Sequence, residues 1–491
     1  MSDLSALFLN NPELRRNFRI ELSSKRLLTA GIITAVFALI VLPSLLPGNR
    51  PGVNAGGSGP IGFYLMAMLW SQKITLTLGG AISCWRAVRR ERELNTYDYQ
   101  CITRLSPLEL AMGKLFGAPA LAYFVTLCLV PPAVISAATT SGAAVEFLLQ
   151  SYVLLFTGAL AIHAFALMIS TVSDKAGASS GLLLLMLLQV FPVIGWLFML
   201  GARSSTQPFG TAAALPFYGI AFPATFLWSS LELGFAAWFL LAVVRNIKLG
   251  LEAIQVFSVR EGLGFAAYCN FVWIGFYPWR AGSGVISAGP LLLLSVVSFY
   301  AVGIGVLRSR ELVRRGLREV TAALSGSARW LGPIGSFAVG AALTEIVIVI
   351  LAAQYSPAES GASAARNLFL VLYFAAWVAR DLFYLQWMKI RPVRSSLRKA
   401  FLYLGVFYLS TSIVFRSSLT STNADAAFAA CLVPFPLLRT WTEAQWNAAG
   451  GMWLLALVAQ IGAAVVFAYL YWQEVVGLGS RPKAAPLARI G

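Results

Sequence analysis

Charge is what this chain of 491 residues has least of. Only 12% of it is Asp, Glu, Lys or Arg, against 58% hydrophobic residues, and the mean hydropathy is +0.75. A water-soluble fold cannot bury that much apolar surface, so the composition predicts a polytopic membrane protein. Acidic residues are scarcer still: 20 Asp and Glu face 37 Lys and Arg, a net charge of +17. The basic residues come in clusters between apolar runs, which is the pattern of membrane loops, so no nucleic-acid partner is expected. Histidine occurs once, at His163, and Cys84, Cys101, Cys128, Cys269 and Cys431 are scattered. Neither a zinc site nor a disulfide framework is implied. There is no Gly-x-x-x-x-Gly-Lys-Ser/Thr, so no nucleotide phosphate is held in the P-loop manner and no cofactor is expected on this chain. The first apolar run begins only near Leu27, after a basic stretch, which argues against a cleavable signal peptide.

What the chain has is apolar runs long enough to span a bilayer. They predict about twelve helical spans, near 28–46, 60–82, 114–136, 147–170, 179–200, 221–244, 263–279, 285–307, 333–354, 367–388, 399–416 and 449–473. With both termini placed in the cytoplasm, most basic residues fall inside. The outer segments then keep only Arg50, Arg203, Arg280, Arg366, Arg416 and Arg439. The short 263–279 run is read as a span or re-entrant hairpin. The apolar piece 426–438 is read as an interfacial or re-entrant element outside.

Two charged segments stand out. From Asn11 to Leu27, Asn11 can cap a helix with Pro12 at its first position. Leu14, Phe18 and Leu22 recur every four residues, while Arg15, Arg16, Arg19, Lys25 and Arg26 line the other side. This predicts a helix lying in the cytoplasmic interface of membrane lipid, or simply a positive-inside anchor. The second segment, residues 86–113, is expected to be a water-exposed loop followed by a helix start, in which Ser106 caps, Pro107 takes the first position and Glu109 completes a capping box.

Glu91-Arg92-Glu93, Thr96, Leu105-Ser106-Pro107, Glu109 and Lys114 resemble the intracellular coupling-loop signature of ABC-2 type transporter permeases. Asn95 stands where that signature usually has glycine, and Arg104 where a small residue is more common. The resemblance covers residues 1–250, with 11–27 matching the family's elbow helix and 86–113 its coupling loop. It implies an all-α bundle: an ABC-2-like six-helix unit followed by a second membrane half, 251–491. That half reads as a degenerate repeat, since a basic stretch at 308–329 again leads into a span and a basic loop lies at 389–399. The resemblance further implies a permease subunit, not itself an enzyme, in the inner membrane of a bacterium. A separate cytosolic ABC ATPase would bind the ATP, and a second permease chain or another copy of this one could complete the pore. In that reading Glu91, Arg92, Glu93, Glu109 and Lys114 dock the ATPase, and Thr96, Ser106 and Pro107 set helix geometry. Export is the direction the family suggests.

Six ionisable side chains fall inside predicted spans: Lys73, His163, Glu232, Glu345, Arg380 and Asp381. Each costs about 3 kcal/mol against lipid on insertion scales, so they should face protein or a wet pathway. Lys73–Glu232 and Arg380–Glu345 are the expected pairs, and His163 is expected to hydrogen-bond between helices. Arg380 and Asp381 are adjacent on a helix and are expected to point apart. Gly79-Gly80 and Gly113-x-x-x-Gly117 suggest close packing of the second and third spans. Pro119, Pro131 and Pro132 should kink or end the third. A second reading is a secondary active transporter of the inner membrane, which needs intramembrane carboxylates, and Glu232, Glu345 and Asp381 are what the chain offers.

Overall fold

The computed structural model describes residues 10–41, 60–94, 96–97, 105–140, 142–172, 214–249, 256–276, 289–308, 310, 313, 328–355, 364–391, 396–414 and 451–480. The 179–200 span, the 426–438 element and almost all of 308–329 lie outside the described residues, as do Asn95, Arg104 and 392–395. The helices are α1 (Pro12–Glu21), α2 (Ser24–Val41), α3 (Pro60–Lys73), α4 (Gly80–Glu93), α5 (Pro107–Gly117), α6 (Ala120–Cys128), α7 (Val130–Thr140), α8 (Gly142–Val172) and α9 (Ala224–Leu249). They continue as α10 (Val259–Phe276), α11 (Gly289–Val306), α12 (Ala328–Tyr355), α13 (Ala364–Ile390), α14 (Ser396–Val414) and α15 (Met452–Ser480). A hairpin, β1 (Ala214–Phe217) and β2 (Ile220–Pro223), precedes α9. Its turn puts Tyr218 and Gly219 at φ 51° and 76°, the left-handed pair that a two-residue turn needs.

Among the described residues, six helical stretches are long and apolar enough to cross a membrane: Ser24–Val41, Pro107–Thr139, Ala144–Val172, Ala224–Leu249, Leu368–Ile390 and Met452–Leu478. The chain is a helical membrane protein. Its contacts divide it into two compact units, one of Met1–Leu215 with Ile220–Val256, the other of Pro216–Gly219 with Phe257–Gly491.

In the first unit α8 is the central post, packed against α4, α7 and α9. Phe147, Ala159, Ile162, Ala164 and Leu167 lie on its buried surface. At the other extreme α2 buries only Thr34, and Leu28, Ile32, Ile33 and Leu39 are exposed. Apolar residues on all sides suit a helix whose solvent is lipid.

The prolines break the third predicted span as their chemistry requires. Pro119 separates α5 from α6, and Pro131 and Pro132 sit in the first turn of α7, where a missing N–H costs least. Pro119 cannot donate to the Leu115 carbonyl, which instead faces the Cys84 thiol at 3.9 Å. Between α3 and α4 the backbone widens into a π-helical turn, Ile74–Gly79, the kind of irregularity that accumulates at functional sites.

The 86–113 segment differs from expectation in its first half. Residues 86–93 are not a loop: α4 runs straight through them to Glu93. Arg and Glu are good helix formers, and Arg89 Nε reaches Glu93 Oε1 at 2.9 Å with i,i+4 spacing. Thr96 closes the helix, its N–H donating to the Glu91 carbonyl at 2.9 Å. The helix start at Ser106 is as the residues dictate. Ser106 Oγ accepts from Glu109 N at 3.2 Å, and Glu109 Oε2 accepts from Ser106 N at 2.7 Å. Ser106→Ala should therefore cost about 1 kcal/mol in thermal or denaturant unfolding of the detergent-solubilised protein.

In the second unit α13 packs between α12 and α15, with α14 alongside, and α10, α11 and α12 form a mutually packed group. Aromatic contacts tie α13 to its neighbours, including Tyr300 stacked on Trp377 at 6.0 Å and Phe369 edge-on to Trp453 at 5.9 Å.

Candidate functional site

The densest set of ionic contacts lies where α1, the end of α4 and the start of α5 meet. Asn11 caps α1 by accepting from Glu13 N and Leu14 N at 3.0 and 3.2 Å, and Pro12 opens the helix. Asn11 Nδ2 also donates to the Glu109 carbonyl on α5 at 2.7 Å, so the cap anchors α1 to its neighbour. Close approach needs the two glycines of α5. A Cβ on Gly113 would lie 2.8 Å from Glu13 Cβ, and one on Gly117 would lie 2.7 Å from Asn17 Cβ. Gly113-x-x-x-Gly117 thus admits α1, not the second span as the spacing suggested.

That approach puts Glu13 beside Lys114. Lys114 Nζ donates to Glu13 Oε1 at 3.0 Å and to Glu91 Oε2 of α4. Arg16 closes the set from the surface, 2.5 Å from Glu91 Oε1 and 3.3 Å from Glu13 Oε2. Asn17 Nδ2 adds a bond to Glu13 Oε1 at 3.1 Å. Two cations meet two anions, and the side chains of Lys114, Glu13 and Glu91 are only 1%, 4% and 8% exposed. Buried ions need such saturation, because their desolvation is offset only by good geometry and full hydrogen bonding.

The other signature residues do different work. Arg92 donates to the Thr171 carbonyl at 2.6 Å and lies 5.0 Å over the Tyr97 ring, tying the end of α4 to the end of α8. Asn246 of α9 donates to Thr171 Oγ1 at 2.9 Å, which draws α9 into the same knot. Glu93, with Arg86 and Arg90, faces outward. On α1, Leu14 is buried while Arg15, Phe18 and Arg19 are exposed and Leu22 is half-buried.

Of the predicted site residues, then, the structure brings Arg16, Glu91 and Lys114 together. It uses Thr96, Ser106, Pro107 and Glu109 to shape helix ends. Reasoning from the sequence missed Glu13 and Asn17. Glu13 was legible only as a first-turn acid, one of two carboxylates, with Glu21, in an otherwise basic stretch. Comparison with protein-family models, with curated proteins and with solved structures returned no match. The site's meaning rests on its geometry.

A second polar contact backs the π-turn. His163 of α8 is fully buried, with Nε2 2.8 Å from the Leu76 carbonyl and Nδ1 3.3 Å from Tyr123 Oη. A carbonyl only accepts, so Nε2 carries the proton and Nδ1 accepts from Tyr123. This histidine joins three helical segments, as its isolation suggested. Glu232 accepts from Thr157 at 2.5 Å.

In the second unit Arg380 does not pair with Glu345. Arg380 Nε meets Asp381 Oδ1 at 2.7 Å, and its other nitrogens donate to Gln460 at 2.8 Å and Tyr408 at 2.5 Å. Tyr408 in turn donates to Asp381. The expectation that Arg380 and Asp381 point apart fails because the long guanidinium arm curls back along its own helix, where an opposite charge in apolar surroundings outweighs side-chain entropy. The network joins α13, α14 and α15. Among the described residues no group of three or more His, Cys, Asp or Glu could hold a metal ion.

Proposed function

We propose that this chain is the membrane subunit of an ATP-driven transporter of the ABC-2 type, energised by a separate cytosolic ATPase and residing in the inner membrane of a bacterium. The observation that carries the reading is the buried cluster of Lys114, Glu13, Glu91 and Arg16. It welds an interfacial helix, the polar extension of one spanning helix and the base of the next into a single rigid piece. A rigid piece at the membrane edge is what a motor subunit needs in order to push on spanning helices. The resemblance of 86–114 to the ABC-2 coupling segment lends the motor its identity and suggests export. About twelve spans, cytoplasmic termini and a degenerate second half belong to the same proposal. So does a further permease chain or a second copy, since the basic loop near 389–399 carries no acidic residue.

In this reading the docking face is the exposed rim of α4, Arg86, Arg90 and Glu93, while Glu91 and Lys114 transmit the force. The test is co-purification of the full chain in mild detergent from its native cell. A stoichiometric ATPase is expected, and Arg90→Glu/Glu93→Lys, which keeps the net charge and spares the buried cluster, should lower its recovery about tenfold or more. A chain that purifies alone, and whose transport follows an ion gradient without ATP, would overturn the proposal.

A further inference from the structure

Three helices of the second unit bury polar oxygen atoms that no described group satisfies, and the helical register brings these atoms to one level. The register is set where α10, α11 and α12 touch. A Cβ on Gly262 of α10 would meet Val306 and Val302 of α11 and Phe337 of α12, and one on Gly340 of α12 would meet Phe299 of α11. From that layer α10 continues through Ala266 to Asn270, and α12 through Ala341 to Glu345. The oppositely directed α11 continues from Phe299 to Ser295. Residues four apart share a helix face, so all three rows remain in the seam. Ala266 and Ala341 are fully buried and small, which keeps the helices close. Beyond them Asn270, Ser295 and Glu345 are 2%, 0% and 0% exposed.

The atoms without a partner are Glu345 Oε1 and Oε2, Asn270 Oδ1 and Ser295 Oγ. The orientation of Asn270 is fixed, because its Nδ2 donates to the Ala266 carbonyl at 2.8 Å, which leaves the amide oxygen as the open group. Every open group is therefore an oxygen, and one is a carboxylate. On the helices packed around Glu345, five described charged groups are engaged elsewhere. Arg380 and Asp381 hold each other, Lys389 donates to the Leu307 carbonyl at 2.6 Å, and Glu474 faces Arg391. Glu261, with Arg260 beside it in the first turn of α10, caps that helix at its far end through Ser258.

We propose that Asn270, Ser295 and Glu345 form an intramembrane binding site for a small, hard monovalent cation, with Na+ as the reference ion. One carboxylate neutralises one positive charge, and the amide and hydroxyl oxygens replace ligands the ion loses with its water. A divalent ion would leave an uncompensated charge among apolar helices, which the membrane interior opposes. The site lies outside the cluster assigned to force transmission and does not depend on how the chain is energised.

The test uses the purified full chain in detergent, with NaCl exchanged for choline chloride at constant ionic strength. Na+ should raise the unfolding temperature saturably and should protect Glu345 from modification by a hydrophobic carbodiimide, read by mass spectrometry. Ser295→Ala should shift the Na+ midpoint about tenfold upwards. Glu345→Gln should abolish the Na+ effect while retaining helicity, and if it does not fold, Ser295→Ala carries the test. Equal unfolding temperatures in Na+ and choline would overturn the proposal. So would carbodiimide labelling of Glu345 that Na+ leaves unchanged, since that identifies a carboxyl held neutral by its own proton.

Discussion

Replacing Lys114 by Met is expected to destabilise the protein by about 3–5 kcal/mol, because it strands two buried carboxylates. The lysine is 1% exposed and reaches both Glu13 and Glu91 from within, while Arg16 reaches them from a position 45% exposed. Removing Lys114 turns a neutral set of four charges into one with an excess negative charge in a site closed to water. Lys114→Met/Glu91→Gln restores neutrality, leaving Glu13 with Arg16 and Asn17. The double variant should therefore be more stable than the sum of the single losses allows, with a coupling of about 1–3 kcal/mol. Glu93→Ala breaks an exposed i,i+4 pair and should cost no more than about 0.5 kcal/mol. Denaturant or thermal unfolding in detergent measures all three. If Lys114→Met proved as mild as Glu93→Ala, the cluster would be solvated and could not carry force.

Gly80→Ala should cost about 3 kcal/mol, a large effect for one methyl group. The added carbon would overlap the His163 ring. That ring cannot swing aside, because Leu76 holds one nitrogen and Tyr123 the other. Either the helices separate or both bonds break, leaving the buried imidazole and the part-buried Tyr123 hydroxyl without each other and the Leu76 carbonyl with only its backbone donor. His163→Ala in the Gly80→Ala background removes the obstacle and should recover part of the loss. Gly79→Ala serves as the control. Nothing lies within 4 Å of a Cβ at Gly79, so the change should fall within about 1 kcal/mol of wild type, on the stabilising side. A Gly80→Ala protein as stable as Gly79→Ala would mean that α8 does not press on the π-turn.

The differences between sequence reading and structure follow the range of the forces involved. Capping is a matter of three or four residues, so Asn11-Pro12 and Ser106-Pro107-x-Glu109 could be read as helix starts with their hydrogen bonds implied. A proline removes its own N–H, so the breaks at Pro119 and at Pro131-Pro132 needed no tertiary information. The charged run 86–93 misled because polarity was taken as the mark of a loop. In a membrane protein a polar run can equally be a spanning helix continued beyond the lipid, and Arg and Glu favour that. Arg380 misled because a rule about which residues share a helix face describes where side chains start, not how far an arginine can bend back.

What the sequence determined alone is the helical membrane class, set by composition and by apolar runs that only lipid can solvate, together with the local punctuation of those helices. Which charges meet was decided by tertiary structure. Glu13 and Lys114 are a hundred residues apart, and nothing local to either names the other. Two glycines on α5 let α1 approach until the ions touch. The same holds for Glu345, Asn270 and Ser295. Each is an ordinary polar residue in its own helix, and only the packing of three helices leaves their oxygens buried without a hydrogen-bond partner. Electrostatics among buried groups depends on separations of a few ångströms, and those separations are products of packing.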